Sequence, residues 1–378
     1  MPSDAENFPP RGPAGSRCSD GPLEAILLVG GQGTRLRPLT IGTPKPLLPT
    51  AGVPFLAHQL AKAAQAGVTR IVMATAYRAQ MFADVFGDGA SFGLEIEYVH
   101  EAEPLGTGGG IRNAAAVLRS GPDDPVVVFN GDVLSGHDLG AQLDLHRKAD
   151  AAVTLHLVEV PDPARFGCVP TEADGRVTAF VEKTRSPVTS QVNAGCYIFA
   201  RRFIDEIPAG RVLSVERDTF PGMIAAGRVV MGYLESAYWL DVGTPEAFVR
   251  GSCDLVLGEL ASPAVPGSRG AALLLSGAVV DPSAQLSGGT VVGAGSTVGA
   301  GASVHGSVLF DQVTVGAGAT VTDSVLGAGA RIGDGAVLHG VIVGAGAEVG
   351  GGNELLHGLR VWPGVRLDGT AIRFSTDA

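Results

Sequence analysis

The sequence predicts an α/β protein in two parts: a three-layer α/β domain over residues 23–260, then a left-handed parallel β-helix of hexapeptide repeats over 276–366. Short β-type runs alternate with helical ones through the first part, the signature of βα units on a largely parallel sheet. The second part repeats an apolar residue every six positions with glycines between. Composition points the same way: 55 of 378 residues are glycine, about twice the usual share of roughly 7%, while aromatics make up only 6%. With 45% hydrophobic and 17% charged residues, the chain is too apolar to remain disordered.

Residues 1–22 are polar, lack the apolar core of a signal peptide and read as a flexible tail. EAILLV, RIVMAT, EIEYVH and VVVFNGD then read as strands. Between the first two, proline near the start and Gly67 at the end bound a helix from Pro54 to Gly67. From Ala151 the pattern is strand-rich, with AAVTLHLVEV, VTAFVEK and NAGCYIFA, and YWLDVGTPEAFVRG reads as strand, turn and helix. Proline and glycine make residues 261–275 a linker.

Beyond it, Val292, Leu309, Leu326 and Val343 lie seventeen apart, or 6 + 6 + 5. A triangular coil explains this spacing: each short unit forms one flat face, its apolar residue points inward, and small residues turn the corner. The register implies an inward stack of Val298, Val315, Ile332 and Val349. Residues 367–378 read as a C-terminal tail. Solenoids of this kind often supply an oligomer contact, so a homo-oligomer formed through the β-helix is expected.

A net charge of −11 argues against a nucleic-acid duplex or an anionic membrane surface as partner, yet leaves room for a small anion held by local cations and backbone N–H groups. No apolar run reaches the roughly 18 residues of a membrane span. The scattered Cys18, Cys168, Cys196 and Cys253 show neither disulfide nor zinc spacing, which fits the cytoplasm.

The first strand ends in GGQGTRLRPLT, Gly30 to Thr40, followed by PKPLLP, Pro44 to Pro49. Glycines at the carboxyl end of a first parallel strand suggest N–H groups folded around phosphates. Leu36 stands where the third glycine of a dinucleotide fingerprint belongs, and no Gly-Lys-Ser/Thr follows as in a Walker loop. Arg35, Arg37 and Lys45 concentrate positive charge there, as a triphosphate requires. Asp132 and Asp241 each follow a predicted strand, where two carboxylates could hold Mg²⁺ against phosphate oxygens. Considered alone, Asp132 also fits a structural Gly-Asp turn, and Glu182-Lys183 fits an exposed ion pair.

GGQGTRLRPLT and PKPLLP resemble the signature of the sugar-nucleotide pyrophosphorylases. The resemblance extends through PLGTGGG (Pro104 to Gly110), NGD (Asn130 to Asp132), FGC (Phe166 to Cys168), Glu182-Lys183, NAG (Asn193 to Gly195) and WLDVGTPE (Trp239 to Glu246). It implies a Rossmann-like three-layer nucleotidyltransferase domain. Within the family the wording is most similar to the branch that takes GTP and mannose 1-phosphate.

The resemblance further implies a nucleotide site at Leu28, Val29, Gly30, Gly31, Gly33, Thr34, Arg35, Lys45, Glu101, Gly106, Asn130 and Asp132. It implies a sugar-phosphate site at Gly167, Glu182, Lys183, Asn193 and Gly195. Asp132 and Asp241 match the family's Mg²⁺ positions, and Arg35, Lys45 and Lys183 stabilise phosphate charge during transfer. Glu101 stands where branches that use uridine or thymidine carry glutamine. Its acceptor-only carboxylate suits the adjacent N1–H and N2–H₂ donors of guanine, while Glu103 competes for that role and a solvated glutamate remains open. Alternatives are another base or sugar 1-phosphate, a hexapeptide acyltransferase using His305, His339 or His357, and a catalytically silent paralogue.

Overall fold

The computed structural model describes residues 22–76, 78–181, 183, 186–267 and 269–373. Residues 1–21 of the expected N-terminal tail, together with Glu182 and 374–378, lie outside the described residues. The chain forms two compact units, one comprising residues up to Gly31 with Gln59–Trp239, the other Gln32–His58 with residues from Leu240 onward.

The first unit is built on a seven-stranded sheet. Its strands are β1 (Leu23–Leu28), β2 (Val68–Thr75), β3 (Glu95–His100), β4 (Pro125–Asn130), β5 (Val153–Glu159), β6 (Gln191–Ala200) and β7 (Val230–Leu234), in the order β7-β5-β6-β4-β1-β2-β3. β6 is antiparallel to both neighbours, and the other neighbouring pairs are parallel. The helices before residue 230 are α1 (Phe55–Gln65), α2 (Ala79–Phe86), α3 (Gly106–Ala114), α4 (Leu139–Lys148), α5 (Arg201–Asp205) and α6 (Phe220–Ala225). α1 ends just before Gly67, whose φ of 89° is the left-handed conformation expected of a terminating glycine.

Alternation along the strands decides which layer each residue joins. Ile26, Val72, Val126, Val128, Leu155, Tyr197 and Phe199 share one core with Ile111 of α3 and Phe220 of α6. The intervening residues Thr154, His156 and Cys196 are buried with a polar network instead: Gln142 of α4 donates to Thr154 O at 3.1 Å, and His146 Nδ1 lies 3.0 Å from Thr154 Oγ1. The rings of His137 and His156 stack at 4.0 Å.

VTAFVEK does not form the strand its sequence predicts. Among the described residues, Val177 and Val181 make only single bridges, to Thr171 and Cys168. Pro170 stands between those partners, and its missing N–H interrupts a continuous ladder.

In the second unit, α7 (Pro245–Leu257) packs on the first coils of three parallel sheets with six, six and five strands, a left-handed parallel β-helix. The seventeen-residue spacing appears directly as register: Val292 pairs with Leu309, Leu326 and Val343 in succession. Val298, Val315, Ile332 and Val349 stack likewise, and all eight side chains are buried in one cluster. At Gly293 a Cβ would sit 2.3 Å from Phe310 O of the next coil, so only glycine fits that corner. Asn353 Oδ1 accepts Ile372 N–H at 2.7 Å, which ties the described end of the chain to the coil. His305 and His339 share one sheet two coils apart, with His305 Nδ1 2.9 Å from Ser287 Oγ.

Candidate active site

In the first unit Gly30 and Gly31 follow the carboxyl end of β1. Leu28 closes that strand, buried Val29 donates to Ala74 O at 3.1 Å, and Gly30 and Gly31 are exposed. A Cβ at Gly31 would meet nothing within 4 Å, so this chain's own packing does not demand glycine there. Close approach by a ligand backbone or phosphate would.

Asn130 closes β4, and Gly131 passes so near β1 that a Cβ would lie 2.5 Å from Leu28 O. The loop beyond carries partly exposed Asp132, and α1 holds it from beneath. Gln59 Nε2 donates to Asn130 O at 2.8 Å and Val133 O at 2.7 Å, while Lys62 Nζ donates to Ser135 O at 2.6 Å. Burial lowers Lys62 to about 8. Gln59 and Lys62 escape motif reading. Their three-residue spacing places them on one helix face, which is the signal that was available.

Glu101 follows β3 and precedes α3 by five residues. Its Oε2 accepts Leu105 N–H at 3.0 Å, and a Cβ at Gly110 would lie 2.7 Å from its Oε1. Glu103 is exposed. Gly106, with φ of 70°, lies where a Cβ would be 2.6 Å from Leu213 O. The glycine-rich start of α3 therefore also meets the packing needs of the segment around Leu213.

Gly167 and Asn193 line one cavity of about 390 Å³ with Phe166, Phe180, Glu216 and Arg217. Gly195, with φ of 79°, packs against Asn130. Trp239 Nε1 donates to Ala194 O at 3.0 Å and meets Phe166 edge-on, which holds the NAG segment against the cavity wall. Lys183 is exposed, and the structural context of Glu182 lies outside the described residues. Cys168 and Cys196 are buried free thiols, and burial pushes Cys196 up to about 12, so neither is poised as a nucleophile.

The second unit carries the cations. Gly33 (φ 59°) packs against Lys45, whose Cβ would be 2.9 Å from a Cβ placed there, and Thr40 Oγ1 donates to Gly33 O at 2.8 Å. Thr34 opens the short turn Thr34–Leu36 that displays Arg35. The Arg35 guanidinium lies against Gly243, where a Cβ would be 2.9 Å from Nη2. Sequence segments two hundred residues apart thus meet, because Gly243 follows Asp241 by two.

Asp132 and Asp241 are hard oxygen donors, partly exposed at strand ends. Each is separately a donor of the type that Mg²⁺ takes, one or two carboxylates with water and substrate phosphates completing the shell. No group of three or more metal-ligating side chains occurs among the described residues.

A Rossmann-like sheet of mostly parallel strands, with a parallel β-helix later in the chain, is the architecture of a nucleotidyltransferase. Residues 24–256 match the nucleotidyl transferase family and 269–370 match the GMPPB C-terminal domain. The chain belongs to the nucleotidyl transferase family, whose enzymes typically use a divalent metal. It is 58% identical over 356 residues to the mannose-1-phosphate guanylyltransferase of Mycobacterium tuberculosis, covering 94% of this chain and 98% of that one. The catalytic subunit beta of the Drosophila melanogaster enzyme of the same name is 34% identical, over 70% of this chain and 71% of its own. Among solved structures, HddC from Yersinia pseudotuberculosis complexed with GMP-PN is similar at 30% identity and a TM-score of 0.52, covering 61% of this chain and 98% of HddC.

Proposed function

We propose that this chain joins mannose 1-phosphate to the guanylyl group of GTP and releases pyrophosphate. The observation that carries this reading is the 58% identity to a mannose-1-phosphate guanylyltransferase along nearly the full length of both chains. A phosphate oxygen of mannose 1-phosphate attacks the α-phosphorus in line. One P–O bond forms, the bond to the bridging oxygen of pyrophosphate breaks, and no covalent enzyme intermediate is needed.

The protein contributes position and electrostatics. Leu28, Val29, Gly30, Gly31, Gly33 and Thr34 shape the nucleotide loop, and Arg35 and Lys45 offset triphosphate charge. Glu101 accepts from guanine, with Gly106 and Asn130 beside the nucleotide. Gly167, Glu182, Asn193 and Gly195 form the sugar site, and Lys183 neutralises the sugar phosphate. Asp132 and Asp241 would hold Mg²⁺, which when bound neutralises phosphate oxygens.

The chain acts in the cytoplasm as a homo-oligomer joined through the β-helix. Exposed Val279, Val337 and Trp362 support a contact there, and no helix among the described residues is long and apolar enough to cross a membrane. Pyrophosphate release from GTP, UTP and dTTP, each paired with mannose or glucose 1-phosphate, tests the activity. GTP with mannose 1-phosphate gives the highest kcat/KM, and chelation of divalent metal abolishes it. Preferred use of UTP or dTTP with glucose 1-phosphate overturns the reading.

A further inference from the structure

The cavity at Gly167 and Asn193 contains a carboxylate that no sequence motif marks. Apolar walls come from Phe166, Val169, Phe180 and Pro221, and the polar lining includes Asn193 and Glu216. A volume of about 390 Å³ lies within the ordinary range for small-molecule sites.

Asn193 is committed within the protein. Its Nδ2 donates to Tyr197 Oη at 2.9 Å and to Glu216 Oε1 at 2.8 Å, while Oδ1 accepts Gly195 N–H at 3.0 Å. Both amide donors are therefore spent, and the side chain is fixed by three partners. Its effect is to hold Glu216. The turn carrying Glu216 is fixed as well: Val215 is buried and donates to Thr107 Oγ1 at 2.9 Å, and Ser214 N–H reaches Asp218 Oδ2 at 2.7 Å.

A carboxylate offers about four lone-pair positions, of which Asn193 occupies one, and Glu216 is exposed. It can accept from hydroxyls and it repels phosphate. We infer that Glu216 accepts hydroxyl hydrogen bonds from the hexose and determines which hexose 1-phosphate is used. This rests on the reading that a hexose 1-phosphate is the acceptor substrate. Mannose and glucose differ only in the direction of the C2 hydroxyl, and an acceptor held in place discriminates by direction.

Steady-state kinetics of wild type, Glu216→Gln and Glu216→Asp test it, with mannose 1-phosphate and glucose 1-phosphate each varied at saturating GTP and GTP varied at saturating sugar phosphate. For Glu216→Gln, kcat/KM for mannose 1-phosphate falls about ten- to a hundredfold and the mannose-over-glucose ratio falls with it. KM for GTP and the melting temperature stay unchanged. Glu216→Asp retains the carboxylate and recovers part of the selectivity. Unchanged sugar kinetics, or an equal loss for both sugars, overturns the role in selection. A parallel rise in the KM for GTP also overturns it, and assigns Glu216 to support of Asn193 and Tyr197, whose Oη also accepts Asn130 Nδ2–H at 3.4 Å. If wild type uses neither sugar phosphate, the underlying reading of function has failed before the variants are compared.

Discussion

On the proposed reading Glu101 serves both the chain and guanine with one carboxylate, and its substitution separates the two. Oε2 accepts Leu105 N–H at 3.0 Å at the start of α3, which leaves Oε1 as the second acceptor. In Glu101→Gln the amide oxygen keeps the Leu105 bond, and the remaining position becomes an N–H₂ donor. Facing a guanine donor, it lowers kcat/KM for GTP by about 1.4 to 3 kcal/mol, roughly ten- to a hundredfold. UTP and dTTP, which offer carbonyl acceptors beside N3–H, lose little or gain. Kinetics with the three nucleotides at saturating mannose 1-phosphate decide it, since an equal fall for all would assign Glu101 to the shape of the loop alone.

The β-helix satisfies two demands with one repeat. Apolar residues fill the coil interior, and buried hydroxyls at intervals of seventeen serve the backbone at its corners: Ser324 Oγ donates to Thr322 O at 2.7 Å and accepts Val341 N–H at 3.1 Å. Ile332 is only 2% exposed, between Val315 and Val349 in its ladder. Ile332→Asp places a charge where no cation is available to pair with it inside the apolar cluster. Its cost is several kcal/mol, on the order of 3–5. A chemical-denaturation midpoint far below wild type is the expected result, and an unchanged midpoint would refute the inward stack.

Across the molecule, both compact units bury neutral histidines. Burial lowers His58 and His146 to about 4 and His156 to about 3, and it holds His137 well below its ordinary value. Each shift is downward from 6.5, so below that pH the unfolded chain takes up protons that the folded chain refuses. Stability is therefore undiminished above about 6.5 and falls as pH drops toward 4, with each histidine approaching about 1.4 kcal/mol per pH unit. Urea midpoints at pH 7.5, 6 and 5 should decrease in that order. A flat series would mean that these histidines protonate without unfolding.

Local pattern alone was sufficient for the α/β alternation, the helix ending near Gly67 and the seventeen-residue coil, because each depends on neighbours in sequence or on an unbroken repeat. The same cannot hold for VTAFVEK, whose apolar residues read as a strand until Pro170, on the partner segment, breaks the ladder. Nor could sequence distinguish Asn193 as a ligand contact from Asn193 as the support of Glu216. That difference depends on Tyr197, Gly195 and Glu216 converging on one amide from separate elements. Gln59 and Lys62 hold the Asp132 loop for the same reason, across about seventy residues of chain. Residue type and spacing determine which groups a chain can offer, whereas hydrogen bonds between distant segments decide which of those groups remain available to a ligand.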